Sequence, residues 1–238
     1  MRKTAVVIGA GPGLGMSMAH RFGREGHAVG LISRSPDRHP AYVAALAEAG
    51  VEAAAFAADV YDRERVLAAL DEITARFGPI DLLYYGPGAT DVSRVPEPIT
   101  ETTSDDVRQA MAIAYAAVDV TGHVLPGMVE RGEGGLLYAG GLSAVLPMPP
   151  LGALAPAAAA LRTYALTLNA ALAAQGVYAG SLTIGGVVER GDIHRQIAAA
   201  PERFGGLSGH TLDPDVIAGV AWELFTKRDR AEETFNAL

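Results

Sequence analysis

The stretch AVVIGAGPGLG, residues 5–15, decides the fold of this chain. Its first four residues are apolar and mostly β-branched, which is typical of a strand buried on both faces. Four glycines (Gly9, Gly11, Gly13 and Gly15) follow, and from Leu14 onward apolar residues recur at helical spacing. Glycines let a pyrophosphate approach the backbone, and the first amides of a helix attract its negative charge. We expect a dinucleotide here, the alternative being that the glycines only close the turn.

Composition limits the classes of protein that remain. The 238 residues, half of them hydrophobic, predict one α/β domain spanning residues 1–238. The chain shows neither an uninterrupted apolar run of bilayer length nor a signal-peptide pattern, so we expect a cytoplasmic protein with no membrane partner. A net charge of −8 argues against nucleic acid as a partner. The absence of cysteine and of compact ligand motifs predicts no disulfide, no thiolate catalysis and no metal site.

Strands and helices alternate along nearly the whole chain. Predicted strands lie at residues 5–8, 27–33, 51–57, 81–85, 135–139, 177–184 and 232–235, with helical patterns between them. This order predicts an α/β, Rossmann-like, doubly wound and mostly parallel seven-stranded sheet with helices on both faces. The ligand crevice is then expected at the carboxyl ends of the strands.

Several motifs together resemble the short-chain dehydrogenase/reductase family over about residues 4–184. They are the spacing Gly9-x3-Gly13-x-Gly15, Asp59-Val60, the segment YGPGA at 85–89 and the run ALRTYALTLNAALAAQGV at 160–177. With Gly11 the same loop also reads GxGxxxG, and Ile8 stands where the family usually has threonine. The resemblance implies a nicotinamide dinucleotide held by the glycine loop, by Asp59 and Val60 near the adenine, and by Gly86 and Gly88.

The loop after the second strand bears on the choice of cofactor. It reads Ser33-Arg34-Ser35, and the nearest acid, Asp37, comes later. Proteins that bind NAD place an acid here on the ribose 2′-hydroxyl. A guanidinium flanked by hydroxyls suits a 2′-phosphate instead. We therefore expect NADP(H) rather than NAD(H), the alternative being that Arg34 is an ordinary solvated arginine.

The family's catalytic set of asparagine, serine, tyrosine and lysine has no counterpart in this sequence. Tyrosine and lysine stand four residues apart in relatives, but this chain has lysine only at positions 3 and 227. Matching the flanking motifs puts Ile113, Gly141, Leu154 and Ala158 at the four positions. The resemblance thus implies an atypical member without the usual route for the proton.

Other polar residues are candidates to substitute. Ser143 follows Gly141 by two residues and is alternatively a turn residue. Tyr115 follows Ile113 by two residues and is alternatively a surface or interface residue. Tyr85 ends the predicted fourth strand, beside the expected nicotinamide region. Further polar candidates are Asp119, His123 and His194. Tyr61 and Arg65 form a YxxxR pair that we expect on a solvent-facing helix.

The expected substrate is small and hydrophobic. Around its predicted position lie Leu142, Val145, Leu146, Pro147, Met148, Leu151 and Leu154. Residues 191–210 are expected to form a substrate lid, or alternatively a surface loop with one short helix. The resemblance implies a homodimer or homotetramer through the alanine-rich helix at about 155–175, although such a helix would also suit burial on its own sheet.

Three functions remain open from the sequence. The first is an NADP(H)-dependent oxidoreductase with a non-standard site, acting on a hydrophobic carbonyl or alcohol. The second is a non-catalytic NADP-binding sensor or partner subunit. The third is a repurposed enzyme without redox chemistry.

Overall fold

A computed structural model describes residues 2–88, 96–200, 202 and 207–238 of the chain. Seven parallel strands form one sheet in the order β3-β2-β1-β4-β5-β6-β9. They are β1 (Thr4–Ile8), β2 (Ala28–Ser33), β3 (Ala53–Ala57), β4 (Ile80–Tyr85), β5 (Gly134–Gly141), β6 (Val177–Gly185) and β9 (Glu232–Asn236). The predicted Rossmann-like doubly wound sheet is confirmed, and the strand order reverses between β1 and β4.

Helices cover both faces of this sheet. They are α1 (Leu14–Arg24), α2 (His39–Glu48), α3 (Arg63–Phe77), α4 (Ser104–Arg131), α5 (Leu154–Leu172), α6 (Asp192–Ala199) and α7 (Pro214–Lys227). One core lies between the sheet and helices α3, α4 and α5, and includes Leu70, Val120 and Leu161. The other lies under α1, α2 and α7, and includes Phe22 and Leu224.

Strand β1 shows why an unbroken apolar run is needed at the centre of the sheet. Val6 and Ile8 enter the core under α3–α5, whereas Ala5 and Val7 enter the core under α1, α2 and α7. All four side chains are fully buried. Because successive side chains of a strand point to opposite faces, a strand covered on both sides must be apolar at every position.

Side-chain caps fix where several helices begin. The Asp62 carboxylate accepts from the Arg65 amide at 3.0 Å before α3. Thr103 and Asp106 form a reciprocal capping box before α4. Helix α1 differs, because Gly13, the residue that precedes it, provides no side-chain cap. Its first amides are thus left to other partners.

Helix α4 is, by length and composition alone, long and apolar enough to cross a membrane. In the fold, its residues Ala117, Val120, Val124 and Met128 are buried against the sheet and its neighbouring helices. This packing accounts for the apolar character of α4 as a core helix.

The predicted lid at 191–210 has structure of its own. Helix α6 lies within it, and it is bracketed by two short parallel strands, β7 (Val187–Val188) and β8 (Thr211–Leu212). Sequence analysis did not predict this small ribbon, since two-residue strands leave too little periodicity to detect. Ala89 and parts of the lid segment lie outside the described residues.

Candidate cofactor and substrate site

The glycine loop is packed by backbone contacts. Gly9 has φ +94°, and a Cβ there would lie 2.4 Å from the Gly86 carbonyl oxygen; one on Gly15 would lie 2.4 Å from the Gly9 oxygen. A Cβ on Gly13 would lie 3.0 Å from the Glu189 oxygen, whereas one on Gly11 would meet nothing nearer than 4.0 Å. The structure therefore requires glycine at positions 9 and 15, leaves little room for a side chain at Gly13, and leaves room for one at Gly11.

The amino end of α1 lies beside this loop at the carboxyl ends of the strands. It has neither a side-chain cap nor an acidic residue in its first turn, and its basic residues, Arg21 and Arg24, lie in the last turn. A helix amino terminus carries a partial positive charge, so this end attracts an anion such as a pyrophosphate. Leu14 and Gly15 supply the first amides of that helix.

The loop after β2 closes on itself. The Ser33 hydroxyl lies 2.8 Å from His39 Nε2 and donates to the Ser35 carbonyl at 3.2 Å, and the Ser35 hydroxyl accepts from the Asp37 amide. Arg34 is exposed on this turn. His39 is buried, and burial lowers its pKa against the opposing effect of Asp37. Sequence analysis missed His39, because its contact with Ser33 depends on how the turn folds.

Two further segments expected at the cofactor also lie at this edge. Asp59 follows β3, is half-buried, and accepts from the Tyr61 amide at 3.1 Å. Val60 is buried in the core. The Gly86 amide donates to the Ile8 carbonyl at 3.0 Å, and Gly88 has open space where a Cβ would stand. These residues line the same end of the sheet as the glycine loop.

The four positions matched to the family's catalytic set carry no ionisable side chain. Gly141 ends β5, and Leu154 begins α5 with 42% of its surface exposed. Ala158 lies one turn further along α5, and Ile113 lies in α4. Helix α5 packs against the turn Leu142–Ala144, which follows Gly141 directly, and none of the four matched residues carries a side chain that could exchange a proton.

Ser143 lies close to the position that a serine at 141 would occupy. Its Oγ is 3.5 Å from the point where a Cβ would stand on Gly141. The side chain is half-buried in the turn that follows β5. Ser143 therefore brings a hydroxyl to the surface where the family serine would stand.

Tyr85 is fully buried, and its hydroxyl donates to the Ile113 carbonyl at 2.7 Å. Burial raises the pKa of this phenol far above its ordinary value, and the nearby phenols of Tyr61 and Tyr138 act in the same direction. A buried phenol with its proton committed to a backbone carbonyl is poorly placed to protonate a substrate. In the structure Tyr85 therefore connects β4 to α4 through a hydrogen bond.

The remaining polar candidates lie on outer surfaces. Tyr115 is 58% exposed on α4. Asp119 pairs with Arg63 at 3.0 Å and His123 with Asp71 at 2.8 Å, joining α4 to α3 beside a groove of about 370 Å³.

The YxxxR pair and His194 complete that set. Tyr61 is exposed, while Arg65 donates to the Ala57 carbonyl and pairs with Glu72 at 2.6 Å. The predicted solvent-facing position of Tyr61 agrees with this exposure. His194 is half-buried on α6. Among the described residues no group of three acidic or histidine side chains could hold a metal ion.

The expected apolar lining divides into two parts. Leu142 is buried, and it contacts the backbone of Gly185, where a Cβ would lie 2.4 Å from Leu142 Cδ2. Val145 and Leu146 are exposed, as is Leu154. The expectation that Leu142 lines a pocket is wrong, because its side chain is buried against the backbone of Gly185 at the end of β6. The exposed residues leave an apolar surface beside Ser143.

The segment Glu189–Asp192, which we call the strap, crosses the glycine loop. Its backbone at Glu189 and Gly191 lies against Gly13. Arg190 has φ +64° and pairs with Asp215 at 2.9 Å, while its guanidinium donates to Ser17 at 3.1 Å. The strap thus connects residues 191–210 to α1 and α7 beside the glycine loop.

Comparison with known proteins gives the family. A family model described as short chain dehydrogenase matches residues 3–199. The chain belongs to this family. Its atypical catalytic set, in contrast, stays a prediction from the sequence and from the positions described above.

Relatives of this short chain dehydrogenase share about a quarter of its residues. A short chain dehydrogenase of Pseudocercospora fijiensis is 27% identical over 78% of this chain and 60% of its own length. An uncharacterized oxidoreductase of Bacillus subtilis is 27% identical over 77% of this chain and 70% of its own. The 1-deoxy-11-beta-hydroxypentalenate dehydrogenase of Streptomyces exfoliatus is 28% identical over 93% and 78%. The chain thus spans less than two thirds of the first of these relatives.

Solved structures share the fold. The L-sorbose reductase of Gluconobacter frateurii, in complex with NADPH and L-sorbose, superposes with a TM-score of 0.84 at 22% identity over 99% of this chain and 95% of its own. A metagenomic short-chain oxidoreductase in complex with NADP superposes with a TM-score of 0.79 at 20% identity over 98% and 96%.

Proposed function

We propose that this short chain dehydrogenase binds NADP(H) and acts as an oxidoreductase on a hydrophobic carbonyl or alcohol substrate. The observation that carries the proposal is electrostatic. In a chain of net charge −8, the uncapped amino end of α1 and the exposed Arg34 share the edge of the sheet where phosphates are expected. The helix end favours the pyrophosphate, and the exposed arginine favours a further phosphate.

The chain's residues fit this cofactor as follows. The amides of Leu14 and Gly15 face the pyrophosphate, the loop Ser33–Ser35 faces the 2′-phosphate, and Asp59 and Val60 border the adenine. Gly86 and Gly88 leave space beside β4 for the nicotinamide half. The relatives bound to NADPH and NADP have the same fold, which is consistent with this placement.

Reduction of a carbonyl breaks the C=O π bond, adding a hydride to carbon and a proton to oxygen. A bound NADPH supplies the hydride. Ser143 Oγ holds the substrate oxygen by a hydrogen bond, because it is the hydroxyl beside Gly141. Since Leu154 and Ala158 cannot titrate, the proton reaches the oxygen from water. The exposed Val145, Leu146 and Leu154 contact the apolar part of the substrate.

The experiment is a calorimetric titration of the protein with NADPH and with NADH, repeated with Arg34→Ala. Selective binding of NADPH that weakens in the variant supports the cofactor, and a screen of hydrophobic carbonyls for oxidation of NADPH then tests the reaction. An absence of binding at millimolar cofactor would overturn the proposal.

A second candidate is a non-catalytic NADP-binding protein. The bond from Tyr85 to the Ile113 carbonyl favours it, because a buried phenol occupies the carbonyl at the position of the family asparagine. Binding of NADPH without oxidation by any carbonyl in the screen would support this candidate over the first.

We also propose self-association through α4 and α5. Tyr115 and Val118 expose apolar surface on α4, and the neighbouring α5 is rich in alanine and leucine. Small side chains let helices of two subunits approach closely.

A further inference from the structure

A second arginine lies on the turn that carries Arg34. The turn is closed by the contact between Ser33 Oγ and His39 Nε2, and Arg38 directly precedes His39 at the start of α2. Because the ends of the turn touch, Arg34 and Arg38 lie on one compact loop. A phosphate bound at Ser33–Ser35 would therefore lie within the electrostatic reach of both guanidinium groups.

Arg38 is paired with the lid segment. Its Nη1 lies 2.8 Å from Oδ2 of Asp192, the first residue of α6. The hydrogen bond with Asp192 is the largest cause that raises the pKa of Arg38, and the same bond lowers the pKa of Asp192. About half of each side chain is exposed, so solvent and salt screen the pair. Asp192 also bonds Arg195 on its own helix.

Asp192 is held near Arg38 by the strap. The backbone of Glu189 and Gly191 packs on Gly13, and Arg190 is fixed to Asp215 and Ser17. Because the strap is anchored at α1 and α7, its other end holds the Asp192 carboxylate beside the loop after β2. The pair consequently joins the strap to the loop after β2.

We propose that Asp192 limits the preference of this protein for NADPH over NADH, because its carboxylate competes with the 2′-phosphate for Arg38. A 2′-phosphate that binds Arg38 must first break the ion pair between Arg38 and Asp192. The free energy of breaking this pair lowers the affinity for NADPH. NADH has no 2′-phosphate and leaves the pair intact. The inference rests on the proposed binding of NADP(H), and it adds a residue of the lid as a determinant of cofactor choice.

The test is a double-mutant cycle read by calorimetry with NADPH and, separately, NADH. Asp192→Asn is expected to tighten NADPH binding about two- to fivefold, the range of an exposed ion pair, and to leave NADH unchanged. Arg38→Gln is expected to weaken NADPH binding alone. Adding Asp192→Asn to Arg38→Gln is expected to change nothing further, because the group for which the carboxylate competes is gone.

A matched control tests whether the loss of one negative charge is by itself enough to change the affinity for the cofactors. Glu223→Gln also deletes one negative charge from an exposed pair, with Lys227 at 3.0 Å, at the far end of α7. It is expected to leave the affinity for both cofactors unchanged. Circular dichroism of each variant shows that the fold is retained.

Three results would overturn the inference while leaving the proposed function intact. They are an equal effect of Asp192→Asn on NADPH and NADH, weaker or unchanged NADPH binding in that variant, and persistence of its effect in the Arg38→Gln background. Failure of the unmutated protein to bind either cofactor at millimolar concentration would overturn both.

Discussion

The Tyr85 hydroxyl donates a 2.7 Å hydrogen bond to the backbone carbonyl of Ile113, joining β4 to the middle of α4. Ile113 stands at the position matched to the family's asparagine, and Tyr85 is one of the candidates to substitute for the missing catalytic groups. Because the phenol and the carbonyl are bonded to each other, both serve as structural groups. The proposed chemistry therefore depends on neighbouring residues, above all Ser143.

Tyr85→Phe is expected to lower the free energy of unfolding by about 1 kcal/mol, because it removes one buried hydrogen bond. Urea denaturation measures this loss. Tyr115→Phe removes an exposed hydroxyl and is expected to leave stability unchanged. Loss of turnover in Tyr85→Phe with undiminished stability would mean that the phenol acts in the chemistry.

Gly11→Ala and Gly15→Ala are expected to behave differently although both lie in one motif. An alanine at 15 would place its Cβ 2.4 Å from the Gly9 oxygen, and the resulting strain is expected to cost about 1–3 kcal/mol. An alanine at 11 meets only a 4.0 Å contact and is expected to be tolerated. Thermal unfolding distinguishes them; equal melting temperatures would contradict the described packing.

Ser143→Ala is expected to lower kcat/KM about a hundredfold for any carbonyl that the protein reduces, since it removes a hydrogen-bond donor to the substrate oxygen. The affinity for NADPH should not change, because Ser143 lies at the substrate side. Thr167→Ala removes an exposed hydroxyl bonded within α5 and serves as the control. Unaltered turnover in Ser143→Ala would remove Ser143 from the mechanism.

His27 makes stability depend on pH. The ring is buried beside Trp222, with Nδ1 3.2 Å from the Phe22 carbonyl, and burial lowers its pKa below the ordinary value of about 6.5. The unfolded chain binds the proton more readily, so stability is complete above about pH 7 and falls as the pH drops below 6.5, by at most about 1.4 kcal/mol per pH unit.

The measurement for His27 is denaturation from pH 7.5 to 5, compared with His27→Gln. The difference in stability between the two proteins should be constant at the upper end and should shift in favour of the variant as the solution becomes acidic. Parallel profiles over the whole range would show that this imidazole does not contribute.

Tyr115→Asp is expected to shift the protein from a dimer or tetramer toward the monomer, because it places a charge in the proposed contact between α4 helices. Sedimentation or light scattering measures the shift. Tyr61→Asp changes an exposed tyrosine before α3 and should leave the assembly unchanged. A monomeric unmutated protein would contradict the proposed contact.

The elements with strong periodicity could be predicted from the sequence. Helix α3 occupies the predicted residues 63–77, and the core strand β1 differs from prediction by one residue, Thr4. The glycine loop also follows from local pattern, and α5 begins at Leu154, one residue before the predicted start at about 155.

Contacts between distant parts of the chain could not be predicted. Arg38 and Asp192 are separated by 154 positions, and Tyr85 and Ile113 by 28. Such pairs depend on how the helices pack on the sheet. The local periodicity of the sequence does not specify this packing. Leu142 was misassigned for the same reason, because only the packed strands show that it fills the space at Gly185.

The contacts at Gly9 and Gly15 have a consequence for how descent and activity can diverge. A Cβ at Gly9 or at Gly15 would lie 2.4 Å from a main-chain oxygen, so a descendant that no longer bound a nucleotide would still need glycine at both positions. These two glycines are therefore evidence of the fold and not of nucleotide binding. The exposed Arg34 and the half-buried Ser143 are the positions that bear on the proposed function.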